Sequence, residues 1–131
     1  FFMEFNKNEI ADDELLYRMI KRSYPDAFKD GEPQAALFMD KSGASVDRDG
    51  GRAEKDIIDN FKRRFRKNND YRATVRIEAG KCRNAGTFPN PIGNAKNQYH
   101  AEIWDSESVV EVTLLKAMQL ASMCKVVSYV E

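Results

Sequence analysis

Leu15, Leu16, Met19 and Ile20 recur at the i, i+1, i+4, i+5 spacing of one buried helical stripe, with Asp12 or Asp13 ahead of them to cap it. The pattern predicts a helix that stops at Ser23-Tyr24-Pro25, because the residue before a proline is pushed out of the α region. Residues 26–34, punctuated by Gly31 and Pro33, read as a loop. Ala35-Ala36-Leu37-Phe38-Met39 is an unbroken apolar run of buried-strand length. A turn at 40–43 follows, then Ser45-Val46-Asp47-Arg48 as a short extended or irregular piece, then a strong turn at Asp49-Gly50-Gly51.

A second helix is predicted over 53–66, where Ile57, Ile58, Phe61 and Phe65 fall at helical spacing. Asn68-Asn69-Asp70 breaks it. From 71 to 78 the chain alternates, with Ala73, Val75 and Ile77 facing one way and Arg72, Thr74, Arg76 and Glu78 the other, as in a half-buried strand. Residues 79–98 hold Gly80, Gly86, Pro89, Pro91 and Gly93 and read as a long ordered loop, a kind of segment that tends to carry function. Residues 99–104 read as a strand with Ala101 and Ile103 inward and His100, Glu102 and Trp104 on the other face. Ser108-Val109-Val110-Glu111 has the form of a capping box. It is expected to open a helix carrying Val112, Leu115, Met118 and Ser122 on one side and Leu114, Ala117, Ala121 and Cys124 beside them. Apolar around most of its girth, that helix is expected to be the central packing element.

The element order, α-β-α-β-loop-β-α, predicts a single α+β domain spanning residues 1–131. Its expected architecture is a small, mainly antiparallel sheet of three to five strands packed by about three helices. The added strands would come from 44–48 or 125–130.

Composition changes this picture only in places. A chain that is 42% hydrophobic and 32% charged can build one core and is not a disordered sequence. No apolar run reaches the roughly 20 residues of a membrane span. The start, Phe1-Phe2-Met3-Glu4, lacks the basic region of a signal peptide, and Met3 reads as a native start. Cys82 and Cys124 lie far apart with no Cys-x-x-Cys spacing, so reduced thiols and a cytoplasmic location are expected, although one disulfide in a secreted domain is also open. The formal net charge is zero, but residues 60–83 carry nine Lys and Arg against only Asp70 and Glu78. This segregation suggests a local basic surface, unless the acidic N-terminal half packs against it and neutralises it.

Nucleotide-binding glycine motifs are missing, and one histidine with two distant cysteines makes a metal site unlikely by composition, so no cofactor and no metal are expected. His100 is the one side chain whose ordinary pKa lies near neutrality. Facing away from the core with Glu102, beside the long loop, it is a candidate general acid or base, or else a surface histidine on a strand edge. Ser45 and Asp47 share a face if 45–48 is extended, and with His100 they make a catalytic candidate set of the right residue types. No nucleophile elbow surrounds Ser45, so a turn whose polar side chains bond the nearby backbone is the competing reading. Arg48 and Arg83, with Glu102, are the ligand-binding candidates, since two guanidinium groups beside an imidazole could grip a phosphate. Salt bridges are the alternative. Lys62, Arg63, Arg66 and Lys67 form a polyanion-binding candidate on the 53–67 helix, or a solvated face helped by cations near a helix C-terminus.

The short motifs Ala35-Ala36-Leu37-Phe38, Ser45-Val46-Asp47-Arg48, Ala79-Gly80 with Arg83, Pro89-Asn90-Pro91 and Asn97-Gln98-Tyr99-His100-Ala101 resemble a group of small uncharacterised bacterial proteins that share a buried strand followed by the series S-V-D/N-R, A-G-x-x-R, N-P and N-x-x-H-A. The resemblance spans residues 33–104 and carries no activity with it. It implies that Ser45, Asp47, Arg48, Arg83 and His100 belong to one site. Two functions are therefore expected to compete. In the first, the protein binds, and in one form cleaves, a phosphate-containing ligand such as RNA or a nucleotide. In the second, it is a non-catalytic interaction domain that docks a protein or nucleic-acid partner on the basic helix. Neither involves a membrane.

Overall fold

The stretch predicted as the first helix is a strand, β1 (Leu15–Lys21), in a computed structural model that describes residues 8–131. The Phe1-Phe2-Met3-Glu4 start lies outside the described residues. The apolar spacing misleads here because β1 is interior to a sheet and buried on both sides. Leu16 and Ile20 fill one face, at 0% and 1% exposure, and Tyr17 fills the other, at 2%. A strand covered on both faces loses the simple alternation that marks a half-buried one.

A short β-ribbon pairs β2 (Phe28–Lys29) with β3 (Glu32–Pro33). The run expected as a buried strand is instead a 3-10 segment, Ala35–Phe38. Leu37 and Phe38, adjacent in sequence, are both buried, which a one-sided strand could not achieve. Then come β4 (Ala44–Arg48), α1 (Glu54–Arg64) and β5 (Tyr71–Glu78). The helix and the second of these strands match their sequence patterns closely. The irregular 79–98 stretch opens with a helix, α2 (Ala79–Asn84), and an edge strand, β6 (Phe88–Pro91). Pro89 and Pro91 belong on such a strand because an edge leaves N–H positions unpaired. The chain ends with β7 (His100–Trp104), α3 (Leu114–Met123) and β8 (Lys125–Tyr129).

The large sheet has six strands in the order β6-β7-β4-β1-β5-β8, with every neighbouring pair antiparallel. The α+β class and the mainly antiparallel sheet are as expected; six strands plus the separate β2–β3 pair exceed the three to five predicted. One sheet face carries Leu16, Ile20, Val46, Ala73, Val75, Ile77, Ala101 and Ile103, and the main core forms between it, the 3-10 segment, α2 and α3. On the other face α1 packs Ile57 and Phe61 against Tyr17 and Tyr71.

The Ser108 capping box does not start α3, which begins six residues later. Asp105 performs the capping instead, accepting from the Thr113 backbone N–H and hydroxyl at 3.0 and 3.1 Å. Nor is α3 the central packing element. Ala117 and Leu120 are buried, whereas Leu114, Leu115 and Met118 are each more than half exposed, because the helix lies at the margin of the core.

Candidate functional site

Strands β1 and β4 touch over only two register pairs, Leu16 with Arg48 and Tyr17 with Asp47. Beyond them the two strands part. β1 continues along β5 for its full length, while β4 continues along β7 from Ala44 to Asp47. The sheet is split, and a cavity of about 870 Å³ opens at the split. It is closed on its other sides by the 24–27 turn, the 3-10 segment and the last turn of α1.

Arg18 sits where the strands part. Its Nε donates to the Leu37 carbonyl and its Nη1 to the Ser45 carbonyl, both at 2.8 Å, so the side chain replaces the ladder hydrogen bond that β1 would have made to β4. Among the described residues no carboxylate comes within ion-pair distance of it. Burial lowers its pKa to about 10, against a smaller opposing pull from Asp40. It therefore keeps its charge at neutral pH but pays for the loss of water.

Ser45, Asp47 and His100 line this same cavity, on the same face of neighbouring strands, as the alternation predicts. They do not form a relay: among the described residues no hydrogen bond joins any two of them. The Asp47 carboxylate is buried and occupied. Asn97 Nδ2 donates to its Oδ1 at 2.9 Å, and Oδ2 takes Arg64 at 3.2 Å and Arg52 at 3.6 Å. The imidazole faces Glu102 instead, with Nε2 3.6 Å from Oε2, and the other Glu102 oxygen accepts from Trp104 Nε1 at 2.8 Å. Gly43, at φ +100°, leaves the room this pair needs, since a Cβ there would overlap the Glu102 carboxylate.

Arg48 and Arg83 are not brought to His100. Arg48 follows Asp47 directly, so it points through the opposite face of the sheet. There it binds the Glu14 carboxylate with two nitrogens, Nη2 to Oε1 at 2.9 Å, and donates to the Asn8 carbonyl. Arg83, on α2, binds Asp12 and the Ile10 carbonyl. Both fasten the 8–14 segment to the body of the protein. Their salt-bridge reading is the one the geometry supports. In the motif series, then, S-V-D-R and N-x-x-H-A contribute cavity residues, while A-G-x-x-R contributes scaffold.

Lys62, Arg63, Arg66 and Lys67 are all exposed, and among the described residues none has an ion-pair partner. Lys62 lies 5.7 Å from the Tyr71 ring. Among the described residues, the acidic N-terminal half does not pack over these four side chains.

Sequence reasoning missed Arg18, Arg64, Arg52 and Asn97. For Arg18 a signal existed: a lone cation inside Leu-Leu-Tyr-Arg-Met-Ile, which a helix assignment sends to solvent and a strand assignment sends inward. For the others only tertiary pairing tells. Among the described residues no group of three or more His, Cys, Asp or Glu is gathered to hold a metal ion, and no helix is long and apolar enough to cross a membrane. No family model, no curated protein and no solved structure matches the chain.

Proposed function

We propose that the chain binds a phosphate-containing ligand, a nucleotide or RNA, in the cavity between β1 and β4. The observation that carries this reading is Arg18: a half-buried guanidinium beside an 870 Å³ opening, with no carboxylate within ion-pair distance among the described residues. An anion entering the cavity supplies the missing charge, and a charge-assisted bond made away from water is stronger than one at the surface. Arg64, Lys21 and Lys41 also border the opening, where Asp26, Asp40 and Asp47 offset part of their positive potential. Arg18 takes the role expected of Arg48 and Arg83. With an RNA ligand, His100 is the group able to move a proton, and Glu102 orients it. Two unpaired thiols, Cys82 and Cys124, favour a reducing, cytoplasmic setting.

The test is calorimetric titration with uridine and adenosine monophosphates, on wild type and Arg18→Met, with circular dichroism to verify folding. The expected result is at least a tenfold loss of affinity in the variant. A folded Arg18→Met protein that binds as tightly as wild type overturns the reading. His100→Gln should then abolish any cleavage of RNA while leaving binding within about threefold.

A second reading rests on four exposed cations at the end of α1 and in the turn after it, Lys62, Arg63, Arg66 and Lys67, none with an ion-pair partner among the described residues, which suit a docking surface for a protein or nucleic-acid partner. Reversing Lys62, Arg63 and Arg66 together should abolish salt-sensitive nucleic-acid binding if that surface is the contact. Unchanged binding removes it.

A further inference from the structure

A second opening, of about 340 Å³, lies on the far side of Arg64 from the first. Its wall includes Arg52, Arg64, Lys96, Asn97 and Tyr99. No carboxylate is among its lining residues, so its polar groups are cations and amides. Arg52 lies over the Tyr99 ring, 3.7 Å from its centroid, and is held there by donating to the Arg48 and Asp49 carbonyls. Gly50, at φ +58°, lets the ring approach, because a Cβ at that position would overlap it. Among the described residues, Asp47 is the carboxylate that pairs with both arginines, and it is buried. That leaves two guanidinium groups against a single carboxylate, with Lys96 besides.

Arg64 borders both openings, so cations run in series from Arg18 through Arg64 and Arg52 to Lys96. An exposed ring, Tyr24, stands on the rim of the larger cavity, while the Tyr99 ring of the smaller one is already covered by Arg52 and serves to hold that cation in place. Cations that follow a path, with an exposed ring beside them, are the equipment for a phosphodiester backbone whose bases are unpaired. A mononucleotide needs only one of these openings. We propose that the ligand is a single-stranded nucleic acid whose backbone crosses Arg64, one phosphate in the β1–β4 cavity and a second in the Arg52–Lys96 opening. This rests on the phosphate-binding reading of the first cavity and specifies its ligand as a strand.

The experiment measures affinity by fluorescence anisotropy for labelled hexauridylate, hexathymidylate and a six-base-pair duplex, with uridine monophosphate as competitor. It is run on wild type and Lys96→Glu. Lys96 is exposed and makes no side-chain bond among the described residues, so the variant should fold normally. The expected result is that at least one single strand binds ten times or more tighter than the monophosphate. Lys96→Glu should then weaken that strand about tenfold, move monophosphate binding less than twofold, and flatten the salt dependence of strand binding by about 0.7 in log–log slope. Comparing the two hexamers separates RNA from DNA, and preference for either supports the proposal. Strand binding no tighter than the monophosphate, or indifferent to Lys96→Glu, or matched by the duplex, overturns it while sparing the first cavity. Absence of both monophosphate and strand binding overturns the two together.

Discussion

Arg18 and Arg48 stand on the same face of neighbouring strands, the first half-buried and the second buried, yet their charges meet opposite fates. Arg48 is matched by the two oxygens of Glu14 and by a backbone carbonyl, so its charge is spent within the fold. Arg18 finds only the Leu37 and Ser45 carbonyls, which orient it without cancelling its charge. Two arginines in similar positions thus divide the work: one is structural, the other holds electrostatic potential in an open cavity. A buried charge is worth little to stability unless it is paired. A fold that leaves one unpaired beside an opening has a reason to bind an anion there.

Breaking the structural half should have the largest effect. Glu14→Gln takes the Glu14 charge away from the buried Arg48 guanidinium, and urea denaturation should show a loss of about 3–5 kcal/mol. Removing the other arginine should cost much less. Arg18→Met sacrifices two carbonyl hydrogen bonds but also removes an uncompensated charge, so a loss of about 1–2 kcal/mol is expected. The contrast sharpens in thermal melts with added phosphate: wild type and Glu14→Gln should gain melting temperature, and Arg18→Met should gain none. A larger destabilisation by Arg18→Met than by Glu14→Gln would reverse the division of roles.

A smaller effect concerns Asp105, a carboxylate paired as fully as Glu14. Bonds from the Thr113 backbone and side chain, and from Lys116, hold its pKa below the ordinary carboxylate value. The unfolded chain therefore takes up this proton at a higher pH than the folded one. The group's contribution is complete above its unfolded pKa and fades as pH falls through the folded value. Asp105→Asn should cost about 1 kcal/mol at neutral pH and flatten the acid limb of the stability curve. The smallest effect is on the thiols. Burial raises both Cys82 and Cys124 to about 12, so neither should react with a thiol reagent in the native protein at neutral pH, and both should react in denaturant.

The local patterns gave reliable answers wherever an element buries one side only. The α1 stripe of Ile57 and Phe61 and the alternation of Ala73, Val75 and Ile77 were both readable, although Thr74, expected on the open face of the strand, is buried beneath α1 as well. They misled at β1 and at Leu37-Phe38, where neighbours in sequence are buried together. The same mistake hid Arg18, because a residue assigned to a helix surface is not weighed as a buried charge. Ser45, Asp47 and His100 were recognised as sharing a face, but the partners of each were not.

Composition and periodicity by themselves determined the α+β class, the basic stretch at 60–83, and which strand residues point together, because these depend on contacts a few residues apart. Only the tertiary structure decided which arginine would be neutralised. That choice turns on Glu14 reaching Arg48 across 34 residues of chain, while among the described residues no carboxylate comes within ion-pair distance of Arg18 and Asp40 acts on it only from farther away, and a charge is cancelled by proximity in space, which local sequence does not encode.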